Sequence, residues 1–288
     1  MSHPQAQLLI IDPQNDFCDL PTAYCPVDPH GRRLAPALPV DGAHADMQRL
    51  ATLIDGSQNG LDAITVTMDS HHLLDIAHTP FWQDAQGGAV APFTQITAAD
   101  LRAGRYRPRD PSLHPHVQSY LDALEATGQR THTLWPVHCQ IGSWGHNIHA
   151  DLHQALNRWE LARNATVAKV SKGENLLTEH FSALQAEVPD PADAGTQLNA
   201  ALLASLCEAD RLYIAGEAGS HCVKATTEHL VEHWPPEALG KLTLIEDTIS
   251  PVKGFEADYA NFLADMHWLG LRILSSREVR AELPQGTA

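Results

Sequence analysis

Three side chains in this 288-residue sequence could do covalent chemistry if the fold gathers them: Cys222, Asp12 and Lys172. Cys222 follows Gly216-Glu217-Ala218-Gly219-Ser220-His221 and precedes a helical pattern at Val223, Leu230, Val231 and Trp234, so the thiol sits near a helix N-terminus. There the helix dipole and open backbone N–H groups favour the thiolate, which is the nucleophilic form. Glycines just ahead of it let backbone amides converge on one point, as an oxyanion hole requires. The competing reading is a small buried core thiol. Cys207, inside the apolar periodicity of 202–206, takes that second reading. Asp12 closes an apolar run and reads either as a turn-capping carboxylate or as the base that takes a thiol proton. Lys172, ahead of Gly173, would keep that carboxylate ionised, although a lone lysine before glycine also reads as solvated surface.

A second constellation has metal-ligand character. In Asp69-Ser70-His71 the first and third residues share one face of an extended chain, so both can reach one ion. Adding His138 gives two imidazoles and a carboxylate, a set that leaves positions open for water and substrate. His72 points the opposite way, and His78, His114, His116 and His132 have no comparable partner in the sequence. His146, His149 and His153 have i, i+3, i+7 spacing. The same helical pattern buries Ile148, Leu152, Leu156 and Trp159, so that histidine stripe is expected in solvent, along with most of the 18 histidines.

These residues need a frame that brings strand ends together. Short apolar runs at 8–11, 63–68, 133–135, 166–170, 211–215, 242–245 and 271–274 have the length and branching of buried parallel strands. Helical periodicities lie between several of them, including one from Phe255 to Leu269. Alternation of this kind predicts a three-layer α/β/α fold around a mostly parallel sheet, in a single domain over 1–288. Stretches at about 73–115 and 185–195, rich in Pro, Gly, Ala and Asp, are expected as insertions over the sheet edge. Ligands in open parallel sheets bind beyond the carboxyl ends of the strands, and Asp12, Asp69, His71, His138, Lys172 and Cys222 all follow such runs.

Composition narrows the classes of partner. Asp and Glu total 35 against 19 Lys and Arg, giving a formal charge of -16 that repels phosphate backbones and argues against nucleic-acid binding. No apolar run approaches the ~18 residues of a membrane span. Residues 1–7 lack a secretory pattern, and an odd five cysteines suit reduced thiols, so a cytoplasmic location is expected.

The strings Ile11-Asp12-Pro13-Gln14-Asn15-Asp16-Phe17, Asp69-Ser70-His71, Trp135-Pro136-Val137-His138-Cys139, Lys172-Gly173 and 216–223 together resemble nicotinamidases of the isochorismatase-like cysteine hydrolase superfamily. The resemblance spans about residues 8 to 275. It implies an Asp12, Lys172 and Cys222 catalytic triad and an oxyanion hole from the amides of Ala218 and Cys222, with a cis peptide before Ala218. It also implies a metal held by Asp69, His71 and His138, and substrate contacts from Phe17 and Trp135. The ion would be one divalent metal, with Zn as first choice and Fe or Mn as alternatives. The implied activity is hydrolysis of nicotinamide to nicotinate and ammonia through a cysteine thioester. The partner is a small-molecule amide, and a homo-oligomer is compatible with the sequence.

Two departures bear on substrate: Ser220-His221 stands where many members carry an acid and an aromatic residue, which makes His221 a further substrate contact, and the interval between His71 and His138 is longer than in compact members. The alternatives are a related cysteine hydrolase acting on another small amide or ureido compound, and a metal or ligand-binding scaffold without turnover.

Overall fold

The structure, a computed structural model, describes residues 5–128 and 131–284. The chain enters through β1 (Ala6–Ile11), continues into α1 (Ala43–Gly56) and returns as β2 (Ala63–Asp69). The next segment carries β3 (Trp82–Asp84), β4 (Gln95–Ile96), α2 (Ala98–Arg102), β5 (Tyr106–Pro108), α3 (His114–Ala126) and β6 (His132–Thr133). Then come α4 (Ala150–Arg163), β7 (Ala168–Lys172), α5 (Ala200–Cys207), β8 (Arg211–Gly216) and α6 (Cys222–His233). The last elements are β9 (Leu242–Ile245), α7 (Glu256–Trp268), β10 (Arg272–Leu274) and α8 (Ser276–Glu282).

Six strands form one sheet in the order β10-β9-β8-β1-β2-β7, parallel throughout. Every residue of β1 is buried, as expected for a central strand covered on both faces. Its side chains alternate between the layers. Leu8 and Ile10 pack with Met47, Leu50 and Ile54 of α1 and with Leu152, Leu156 and Trp159 of α4. Leu9 and Ile11 pack with Leu206 of α5, Val223 and Leu230 of α6, and Phe262 and Met266 of α7. The three-layer α/β/α architecture with a parallel sheet is therefore the observed one.

The run at 133–135 departs from expectation. It is not a strand of the main sheet; β6 is two residues long and pairs antiparallel with β4. Pro136 cannot donate to a ladder, and the side chains just before it are drawn apart. Leu134 enters a separate apolar cluster with Ile76, Trp82, Ile96, Leu101, Val117 and Leu121, while Trp135 turns toward Phe17 and Cys139. The 73–115 insertion accordingly carries apolar residues of its own, buried against α3. Among the described residues, no helix is long and apolar enough to cross a membrane.

Candidate active site

The carboxyl ends of β1, β2, β7 and β8 converge, and registry sets their spacing: Asp69 is opposite Lys172, and Ile11 is opposite Gly216. Asp12, the residue after β1, has a left-handed φ of 46°. Its amide donates to Thr67 Oγ1 at 3.1 Å, and that hydroxyl donates back to Asp12 Oδ1 at 2.6 Å. This reciprocal pair fixes the carboxylate, which is fully buried. Gly216 must be glycine: φ is 113°, and a Cβ there would lie 2.0 Å from the carbonyl oxygen of Ile11.

Lys172 ties the centre together. Its Nζ lies 3.0 Å from Asp12 Oδ2, 2.8 Å from Asp69 Oδ1 and 3.6 Å from Cys222 Sγ, and donates to the carbonyl of His180 at 2.9 Å. Burial alone would lower the ammonium, but Asp12 and Asp69 outweigh it and hold Lys172 well above its ordinary value. Burial likewise pushes Asp12 up, with Lys172 opposing and Asp69 adding to the rise.

Cys222 is the first residue of α6. The expectation of a thiolate favoured by the helix dipole is not met at rest. Burial pushes the thiol well above its ordinary value, Lys172 offsets part of that, and Asp12 and Asp69 add to it. A first-turn dipole is worth about 0.3–1 kcal/mol at an exposed site, too little to overcome full desolvation. The resting group is a thiol beside a carboxylate. The peptide bond Glu217–Ala218 is cis. The amides of Glu217, Gly219, His221 and Val223 donate to the carbonyls of Ile11, Ser250, Ala218 and Ala218, whereas those of Ala218 and Cys222 donate to no acceptor among the described residues.

On the other side of Lys172, Asp69 Oδ2 lies 3.0 Å from His71 Nε2 and 3.2 Å from His138 Nε2. A third imidazole, His78, joins them: donor atoms of His71, His78 and His138, all buried, lie within 4.8 Å of one another. His78 is a ligand candidate that sequence spacing does not reveal. Its place comes from a turn in the insertion, where its Nδ1 accompanies the carbonyl of His72 at 3.1 Å, and no strand or helix spacing announces that turn. Burial and the neighbouring His138 and His71 hold His78 neutral, so it keeps a lone pair to offer. Asp75 Oδ2 is 2.9 Å from His71 Nδ1, the carboxylate-behind-histidine arrangement that orients a metal-binding imidazole. Three imidazoles and a carboxylate, buried and backed in this way, fit a divalent transition metal such as Zn, Fe or Mn.

Phe17, Trp135 and His221 lie around the centre. Phe17 meets His138 edge-on at 5.4 Å, and Trp135 meets His221 edge-on at 5.3 Å. Together with Asp69, His138, Lys172, Ala218 and Cys222 they line one pocket, to which the 173–199 segment adds Glu179, His180 and Phe181. Sequence reasoning misses those three, because an irregular segment carries no periodicity to mark them. Glu179 is buried, and burial raises its carboxyl to about 7.

Other histidines and cysteines also depart from expectation. His146 and His149 precede α4, so the i, i+3, i+7 set is not a helical stripe. His149 is fully buried, with Nε2 2.8 Å from His44 Nδ1, and His146 Nε2 lies 2.9 Å from Ser70 Oγ. His78, His132 and His180 are also buried, so fewer histidines face solvent than expected. Cys207, expected in the core, is exposed at the end of α5.

Known proteins share this geometry's frame. The nicotinamidase of Escherichia coli strain K12 is 26% identical over 225 residues, spanning 77% of this chain and 75% of that protein. The yeast nicotinamidase Pnc1p superposes with a TM-score of 0.60 at 19% identity, covering 94% of this chain and 99% of the yeast one. The fold is that of the nicotinamidases. The pyrazinamidase of Pyrococcus horikoshii in complex with zinc gives 0.53 at 19% identity, with 94% and 99% covered. No family model matches the chain. In sequence and in fold, then, this chain is similar to hydrolases of the nicotinamidase type.

Proposed function

We propose that this protein is a metal-assisted cysteine amidase that converts nicotinamide to nicotinate and ammonia. The observation that carries the reading is one lysine, Lys172, holding Asp12 at 3.0 Å and Cys222 at 3.6 Å in a pocket that Asp69 and His138 also line. Asp12 accepts the thiol proton as Sγ attacks the amide carbonyl, and the free amides of Ala218 and Cys222 donate to the developing oxyanion. The C–N bond breaks as Asp12 returns the proton to the leaving ammonia. Asp12 then takes a proton from water, the hydroxyl adds to the thioester carbonyl, and Sγ departs and recovers the proton as a thiol.

A divalent ion, Zn first and Fe or Mn otherwise, would be held by Asp69, His71 and His138 with His78 beside them, and would supply a Lewis-acidic partner for the ring nitrogen. Phe17 and Trp135 would flank the ring. A cytoplasmic role in nicotinamide salvage follows from this reading.

Nicotinamide given to the purified, metal-loaded protein should release stoichiometric ammonia, and Cys222→Ala should abolish that release. Full hydrolysis by the alanine variant would refute the mechanism. A second reading, another small amide or ureido substrate, is favoured by the narrow inner pocket, whose free volume of ≈ 20 Å³ is room for about one water. Faster turnover of a ringless, uncharged amide or ureido compound than of nicotinamide would select the second reading.

A further inference from the structure

Outside the inner pocket lies a larger chamber of ≈ 500 Å³, and Trp135, Phe181, His221 and Glu179 border both spaces. The chamber is acidic. Glu187, Glu228, Glu232 and Asp258 line it with Glu179, against one lysine, Lys224, whose Nζ is already 3.9 Å from Glu228. The lysine of the inner pocket, Lys172, is likewise committed, since it holds two carboxylates. No arginine lines either space among the described residues.

Glu179 supplies an independent observation at the junction. Its residue is 5% exposed; one carboxylate oxygen accepts the amide of His180 at 3.2 Å, and the other, Oε2, is buried with no hydrogen-bond partner among the described residues. A buried oxygen left unpaired is costly, and a ligand N–H presented there would satisfy it, whereas above the raised value of about 7 the ionised group would repel a second carboxylate.

We propose that Glu179, at the mouth of the acidic chamber, selects substrates by charge, admitting neutral or cationic amides and rejecting amides that bear a carboxylate. This rests on Cys222 being the nucleophile and narrows the substrate class of the site. An anion crossing the chamber loses solvation beside like charges and, among the described residues that line it and the inner pocket, meets only lysines already paired with carboxylates. A neutral amide incurs neither penalty. Carboxylate products are expelled by the same field.

The test reads the passage of charge directly, without assuming the natural amide. Metal-loaded full-length protein at pH 8.5 is alkylated with neutral iodoacetamide or anionic iodoacetate, and modification of Cys222 is followed by peptide mass spectrometry. The exposed Cys207 serves as reference in the same molecule. Glu179→Gln should lower the iodoacetamide-to-iodoacetate rate ratio at Cys222 by about tenfold while leaving the ratio at Cys207 unchanged. Glu179→Leu, apolar and similar in volume, should shift it in the same direction and substitutes if the amide variant does not fold. An unchanged Cys222 ratio in the folded variants overturns the charge filter even if nicotinamide is hydrolysed. A shifted ratio in a protein inert toward nicotinamide keeps the filter and removes the proposed reaction instead.

Discussion

Replacing Lys172 with Met keeps side-chain length and removes the one cation that faces Asp12, Asp69 and Cys222 together. At 3.0 and 2.8 Å, and an effective dielectric of about 20, the two carboxylate attractions are gross terms of about 5 to 6 kcal/mol each. Most of that is cancelled in the wild type by desolvating the ammonium, so the net worth of the pairs is far smaller. Removal is a different matter, because it strands two buried carboxylates that repel each other. Breaking a buried pair costs about 3–5 kcal/mol, and stranding two partners places this site at the upper end. For a chain of this size each kcal/mol moves the midpoint by roughly 2 °C, so Tm should fall by about 10 °C in calorimetry. Chemistry should suffer separately. The ammonium 3.6 Å from Sγ is the cation that offsets the burial of the thiol, so alkylation of Cys222 at fixed pH should slow by about a hundredfold.

The double variant Lys172→Met with Asp12→Asn separates the two effects. Neutralising one stranded carboxylate should recover several degrees of Tm without restoring amide hydrolysis, since the proposed base is gone. A single variant that loses less than about 1 kcal/mol and still alkylates at the wild-type rate would refute the assignment of Lys172 as the electrostatic centre of the site.

Asp75→Asn removes the carboxylate behind His71 Nδ1 and should weaken metal affinity by about 10- to 100-fold in chelator competition; unchanged affinity would argue against an ion at His71. Glu217 is buried and its carboxyl is raised well above its ordinary value of 4.5, chiefly by burial, with Asp46 and Asp19 adding. The folded state therefore keeps a proton that the unfolded chain gives up above 4.5. This contribution to stability is complete below that pH and is lost as pH rises through the raised value, each pH unit in between being worth about 1.4 kcal/mol. Glu217→Gln should flatten the fall of Tm as pH rises above 4.5, and an equally steep fall in the variant would contradict the assignment. Gly216→Ala places a methyl 2.0 Å from a backbone oxygen at a positive φ, so a loss of about 3 kcal/mol or more is expected, and a Tm within about 2 °C of wild type would sink it.

The parts of this molecule legible in its sequence are those governed by period and position. Six of the seven apolar runs became parallel strands, and the central one, β1, is buried at every residue and apolar at all but Gln7. The strand-end rule then located Asp12, Asp69, Lys172 and Cys222, since parallel registry brings those ends to one rim. The rule stops where the backbone leaves regular geometry. His78 reaches the imidazole cluster through a turn inside the insertion, and Glu179 and Phe181 reach the pocket on an irregular segment, so neither spacing nor alternation marks them. The 133–135 run failed for a related reason: its length fits a strand, but Pro136 ends the ladder and its side chains are shared between two clusters.

Thiol protonation at Cys222 is hidden from the sequence because helix position is visible there and desolvation is not. That distinction has a mechanistic consequence. A thiol kept protonated by burial needs its base in contact at the moment of attack, so Asp12 must be positioned more tightly than a preformed thiolate would require. The left-handed backbone at Asp12 and its reciprocal bonds with Thr67 provide that positioning for the proposed base, which sits immediately after a central strand.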